Sequence, residues 1–432
     1  MIHPNHRTMR LDFAKTLVFA STLSLLLFTA PNSSSAQDTI RNEALTEHIR
    51  RFTLSDGRFT GAGASFLLDE LRASDFVMIG EYHGSKRISE FTNALIPILS
   101  DVGFRTMMVE VGPSSGRMLD GLSGDIPSQL NHINNTYLRT SEDGNANLPI
   151  PFFNYVEDAA FLQSLKDRDW RLFGIDQEFL YGYPMQIDQL YANLDSLQRQ
   201  SVSDLYHELR DSLRVYYEWN ITGRQGISVS LKRSPLFAEF LNRTRVNPPN
   251  AEIIDHLTVS IDIYYLNDTR RWFESNERRV TYMKSMFVQH IREESIDLSR
   301  EKILFKMGAF HLSRGFTPLA FYEIGNMVSE LADFHQRKDL NITFSSRFYM
   351  ENGEVKDILD SDNPFYHRTR ELDKHGSMDE WVIIDLRPIL KGYFYWPRIF
   401  DFNEHIIDMA KAYDLLIIPI TETDPTPNYV RK

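Results

Sequence analysis

The feature that most constrains this chain is a set of short segments that are apolar on consecutive positions. They cover residues 76–79, 106–111, 171–175, 303–307, 342–345, 382–385 and 415–420. A strand with one wet face alternates apolar and polar residues, whereas a strand covered on both faces does not, and parallel sheets are covered on both faces. Between the first two runs Ile88, Phe91, Leu95 and Leu99 recur at helical spacing, with Pro97 expected to kink or end that helix. Strand and helix in alternation predict an α/β fold, a mostly parallel sheet flanked by helices. With 42% hydrophobic and 25% charged residues over 432 positions, the chain carries enough apolar material for an ordinary core.

The alternation stops between about 185 and 296. QIDQLYANLDSLQRQ, SDLYHELRDSLRVYYEW and RRVTYMKSMFVQHIREE are long, amphipathic and nearly free of strand signals, and RVNPPNAE reads as a turn among them. We expect a helical insertion near one end of the sheet, inside a domain running from 37 to 432. A separate helical domain is the other reading of the same pattern.

Residues 1–36 read as a signal peptide. His6, Arg7, Arg10 and Lys15 form a basic start, LVFASTLSLLLFTA is an apolar stretch short for a bilayer span, and SSSAQD offers cleavage after Ala36. No second long apolar run follows, so no membrane span is expected in the mature chain. An exported protein, periplasmic or secreted, is the expectation. The absence of cysteine leaves no disulfides and no lipid-bearing cysteine. A formal net charge of -12 argues against nucleic acid as a partner.

Ionisable residues gather where the strands end. Gly80, Glu81 and His83 follow the first run, Glu110 closes the second, Asp176 and Glu178 follow the third, and Gly308, His311 and Arg314 follow the fourth. In open α/β sheets ligands bind at the carboxyl ends of the strands. GEYH (80–83) and GAFH (308–311) repeat one pattern, a glycine for the strand exit and a histidine three residues on. Two imidazoles with carboxylates can activate a water directly, as base and orienting group, or through a metal with lowered water pKa. Spacing does not choose between these. No GxSxG, GxGxxG, P-loop or HExxH is present, and no cysteine nucleophile. Lys86, Arg87, Arg278, Arg279 and Arg314 are the cations available for a substrate carboxylate or an oxyanion. The aromatic stretches FFNY (152–155), FLYGYP (179–184) and GYFYWP (392–397) are candidate pocket walls.

These residues resemble those of the erythromycin esterase, ChaN and TIKI/TraB superfamily. GEYHGSKRISEF is similar to the opening esterase pattern of Gly-Glu, His-Gly and a basic residue. GFRTMMVEV, with Glu110, resembles the second strand of that family, RRVTYMKSM its Arg-then-Met helix, and YDLLIIPITETDPT its closing strand. The spacing of Glu81 and His83 is one residue tighter than in the esterases and resembles ChaN. The resemblance implies an α/β fold with a helical insertion and a site at the strand ends. It also implies hydrolysis with a histidine base in the esterases, a metal-dependent peptidase in TIKI proteins and haem binding in ChaN.

The leading expectation is therefore a hydrolase of an ester or amide bond acting on a small molecule or peptide. His83 is the expected base, oriented by Glu81 or Glu110, and His311 the group that binds or polarises the carbonyl. Lys86, Arg87, Glu178, Arg279 and Arg314 are the expected substrate contacts. No cofactor is required in this reading. A divalent metal on His83, His311 and a carboxylate defines one alternative. Haem bound through Tyr82 and His83 defines the other.

Overall fold

The computed structural model describes residues 45–141, 145–364, 366–397 and 400–430; the expected signal peptide lies outside them. Residues His48–Lys432 form one compact unit. Its centre is a nine-stranded sheet. The strands are β1 (Ile49–Ser55), β2 (Arg58–Thr60), β3 (Phe76–Glu81), β4 (Phe104–Val109), β5 (Arg171–Gly174), β6 (Lys302–Gly308), β7 (Asp339–Phe344), β8 (Trp381–Asp385) and β9 (Leu415–Ile418). Their order is β2-β1-β8-β9-β7-β3-β6-β4-β5. From β9 to β5 every neighbouring pair is parallel.

All seven apolar runs are strands of this sheet. One correction concerns direction: β8 is antiparallel to both of its neighbours. The sheet also has an edge hairpin, β1 and β2, that the apolar runs do not signal. Only Phe52 of β1 is buried, and Arg50, Arg51, Thr53 and Ser55 break up the apolar residues of the segment. Its turn was written in the sequence as Asp56-Gly57, which take φ of 50° and 71°, the left-handed pair a two-residue hairpin requires.

The continuous apolar character of β3 comes from packing on both faces. Val77 and Ile79 point into one core layer with Ile88, Phe91 and Leu95 of the helix Lys86–Asp101 and Phe161 of Val156–Lys166. Phe76 and Met78 point into the opposite layer with Met283, Met286 and Phe287 of Trp272–Glu293 and Val328 of Ile324–Phe334. The two-residue period of a strand fixes this division. Pro97 does not end its helix, which runs on to Asp101. Residues 112–116 open a helix at Pro113–Asp120 with Gly112 at the N-cap. Between 183 and 293 the chain is helical: Tyr183–Ala192, Ser196–Ile221, Ile227–Arg233, Pro235–Thr244, Pro248–Asp268 and Trp272–Glu293. Among the described residues no helix is long and apolar enough to cross a membrane.

Candidate active site

A cavity of about 640 Å³ opens at the carboxyl ends of β3, β4, β5 and β6, and Glu81, His83, Glu110, Asp158, Asp176, Arg279 and Lys306 line it. Its geometry begins with register. Glu81 ends β3 directly beside Gly308, which ends β6, so the two Gly-x-x-His motifs leave the sheet side by side.

Glu81 and Lys306 lie on the same sheet face, the first continuing the parity of Val77 and Ile79, the second that of Leu304. Both are buried, and Lys306 Nζ donates to Glu81 Oε2. The Phe161 ring lies 5.2 Å from Nζ. Burial opposes the Glu81 charge, but the Lys306 ammonium, aided by His83, holds its carboxyl below the usual range. The other Glu81 oxygen meets His83 Nδ1 at 3.1 Å. The His83 ring stacks on Phe152 with centroids 4.0 Å apart and 19° between planes. Held at Nδ1 and at one face, its side chain is still 41% exposed.

Glu110 sits across from it, with Oε2 3.8 Å from His83 Nε2. The Gly308 backbone N–H donates to that same oxygen at 2.6 Å, and Arg279 Nη2 donates to Oε1 at 2.9 Å. His311 Nε2 lies 3.4 Å from Oε1. Burial opposes the Glu110 charge, yet the nearby His311, Arg279 and His83 hold its carboxyl well below the usual range. Glycine at 308 follows from this crowding. A Cβ there would lie 2.9 Å from His83 Nε2 and 3.2 Å from Glu110 Oε2.

Arg279 clasps Asp176 as well, through Nε and Nη2. Its neighbour Arg278 turns outward to Asp262. A step of one residue rotates a helix by about 100°, which separates the two roles.

His311 is placed differently from the expectation. It is buried and does not line the cavity. Nδ1 lies 3.0 Å from Glu323 Oε2 and Nε2 faces Glu110. Burial disfavours its charge, but Glu110 and the hydrogen bonds to both carboxylates push the imidazole up to about 9. It acts on Glu110 from behind the cavity wall.

Four of the expected substrate contacts do not line the cavity: Lys86, Arg87, Glu178 and Arg314. Lys86 pairs with Glu157 at 3.1 Å, and Arg87 with Glu90 at 2.8 Å. Glu178 accepts from the Ser114 and Ser115 backbone amides and the Ser115 hydroxyl, at the buried N-terminus of Pro113–Asp120. Arg314 binds Asp339 and Asp414, which lie at the amino ends of β7 and β9.

Two residues of the site escaped the sequence reading. Lys306 interrupts the run ILFKM, and a lone cation on a doubly covered strand is the signal that would have found it. Asp158, in the first turn of Val156–Lys166, accepts from Ser89 Oγ at 2.6 Å and from the Tyr155 amide. Burial pushes its carboxyl up to about 6, against the pull of Lys306. The stretch GYFYWP lies elsewhere, with Phe394 and Tyr395 lining a second, shallower depression.

Both ring nitrogens of His311 face carboxylates, and the Tyr82 hydroxyl donates to Glu422 at 2.8 Å. Among the described residues no three His, Asp or Glu side chains are grouped to hold a metal ion.

No protein-family model and no curated protein matches the sequence. Among solved structures the chain is similar to a mutant of erythromycin esterase EreC in its open conformation, with a TM-score of 0.51 and 12% identity over 87% of this chain and 98% of that one. It is also similar to a succinoglycan biosynthesis protein, with a TM-score of 0.51 and 13% identity over 91% of this chain and 99% of that one. At such identity the likeness carries the fold and not the chemistry.

Proposed function

We propose, from the premise that this chain has the erythromycin esterase-like fold, that it is a hydrolase cleaving an ester or amide bond with a water activated by His83. The observation that carries this reading is the relay Lys306–Glu81–His83, which ends in a half-exposed imidazole on the cavity wall. With Nδ1–H donated to the Glu81 carboxylate, Nε2 has its lone pair free to accept a proton. A water proton passes to Nε2 as the water oxygen attacks the carbonyl carbon. Glu81 then stabilises the imidazolium, and Lys306 keeps Glu81 ionised beforehand.

Arg279 is the proposed donor to the developing oxyanion. Asp176 and Glu110 fix its guanidinium while it still lines the cavity, so little reorganisation is needed as charge develops. Collapse of the intermediate breaks the bond to the leaving oxygen or nitrogen. His83 returns its proton to that atom, giving an acid and an alcohol or amine. Glu110, bonded to the Gly308 amide, Arg279 and His311, is a fixed anion that positions Arg279.

The test is a panel of acetyl and butyryl esters and N-acetyl amides offered to the wild type and to His83→Ala. Loss of about 10²- to 10⁴-fold in kcat/KM is expected for any member turned over. Undiminished turnover in the variant would remove His83 as the base. We further propose that residues 1–36 direct export. N-terminal sequencing of protein recovered outside the cytoplasm should begin after Ala36, and an intact start would reject it.

A further inference from the structure

We propose that Phe152 is a positioning residue for the base: its ring, pressed on His83 by a left-handed backbone, fixes the plane of the imidazole so that Nε2 stays turned into the cavity. The inference rests on the hydrolase reading and adds a residue to the same site.

The first observation is the contact itself. The two rings lie face to face, with centroids 4.0 Å apart and 19° between planes, and among the described residues no other ring meets Phe152. Phe152 is half-buried on the cavity wall and belongs to neither core layer of the sheet. Its neighbour Phe153 is the one that enters the core, 1% exposed and 5.5 Å from the ring of Phe161. Burial of apolar area, the ordinary reason for a phenylalanine, is therefore met by residue 153 and does not account for residue 152.

The second observation is the backbone. Phe152 takes a φ of 63°, the left-handed region, where a bulky L residue is strained and glycine is not. Among the described residues it is the only aromatic with a positive φ. Such strain persists only where the surroundings impose it, and it gathers at functional sites. Here the surroundings do impose it. Pro149 and Pro151 stiffen the approach. Beyond the residue, Asn134 Nδ2 donates to the Phe153 carbonyl at 3.4 Å. The Asn428 amide donates to the Asn154 carbonyl at 2.9 Å, and the Val156 amide to the Thr426 carbonyl at 2.8 Å.

The third observation is what the imidazole otherwise lacks. The contact of Nδ1 with Glu81 at 3.1 Å fixes one atom, and a ring held at one atom can still turn about it. With 41% of the side chain exposed, packing does not stop that rotation. A contact on the ring face restrains the motion that a contact on the ring edge leaves free. Glu81 and Phe152 together direct Nε2 to the side of the cavity where Glu110 Oε2 lies 3.8 Å away.

The test compares the full wild-type chain with Phe152→Leu, which keeps apolar bulk but no flat face, and with Phe152→Ala and Phe152→Gly. Melting temperatures confirm folding, and the glycine variant takes the place of the leucine variant if the latter does not fold. On any ester whose turnover needs His83, Phe152→Leu should lower kcat by about tenfold or more and leave KM within about twofold. Phe152→Gly should melt above Phe152→Ala, because it relieves the left-handed strain, and yet be no more active. A readout without substrate is nitrogen NMR of isotope-labelled histidine at alkaline pH. The wild type should show His83 with its proton on Nδ1, and Phe152→Leu a mixture of the two tautomers.

An unchanged kcat in Phe152→Leu on an ester that needs His83 overturns the inference and leaves the hydrolase reading standing. If the wild type cleaves no ester, the tautomer decides. A mixture in the variant upholds the positioning role while the hydrolase reading fails, and an unmixed Nδ1–H tautomer overturns the positioning role as well.

Discussion

Glu81 and Gly308 are direct partners across the parallel pair β3 and β6, and this pairing brings His83 against Glu110. The glycine is a clearance as much as a strand exit. A side chain at 308 would occupy the space between the imidazole and the carboxylate.

Gly308→Ala tests that clearance. The new methyl group would stand 2.9 Å from His83 Nε2, closer than real Cβ contacts. His83 is half exposed and can swing away, so stability should change by about 1 kcal/mol or less while activity falls at least about tenfold. The check is kcat/KM beside a thermal melt. A variant that keeps full activity would show that His83 has room to spare.

Lys306→Met tests the relay. It leaves the buried Glu81 carboxylate without its cation, and breaking a buried pair from one side costs about 3–5 kcal/mol. Lys306→Met with Glu81→Gln should recover much of that loss, because no unpaired charge remains. Activity should stay low in both, since neither returns an ionised partner to His83 Nδ1. Denaturant melts of the two single variants and the double give the coupling. Additive losses would mean the pair is not an energetic unit.

His311 sets a pH dependence. Its imidazole titrates near 6.5 when unfolded and at about 9 in the fold, where burial is outweighed by Glu110 and Glu323. A raised folded value means stability that is fully present below about pH 6.5 and is lost as pH rises through 9. The loss between these limits is on the order of 3 kcal/mol at most. His311→Gln should be less stable at pH 6 and show a flatter profile up to pH 9.5. Parallel slopes for variant and wild type would show that His311 is neutral in the fold.

Much of this was legible in order along the chain. The seven apolar runs are strands, and Glu81, His83, Glu110 and Arg279 meet at one cavity. The edge hairpin was not legible from apolar runs, because an edge strand keeps one side wet and here carries arginines. Lys86, Arg87 and Arg314 looked equivalent to Arg279 in the sequence. Only packing tells which arginine faces the crevice and which meets a carboxylate elsewhere.

By itself, the sequence determined which segments are covered on both faces, since a strand buried twice must be apolar at every position, and where each such strand ends in an ionisable group. Tertiary structure alone decided the roles of those groups. Register set Glu81 beside Gly308, the two-residue period set Lys306 on the face of Glu81, and Glu323 reached His311 from a different element. Each is a contact between segments far apart in the chain, and the charge state of a buried group depends on such neighbours more than on its own identity.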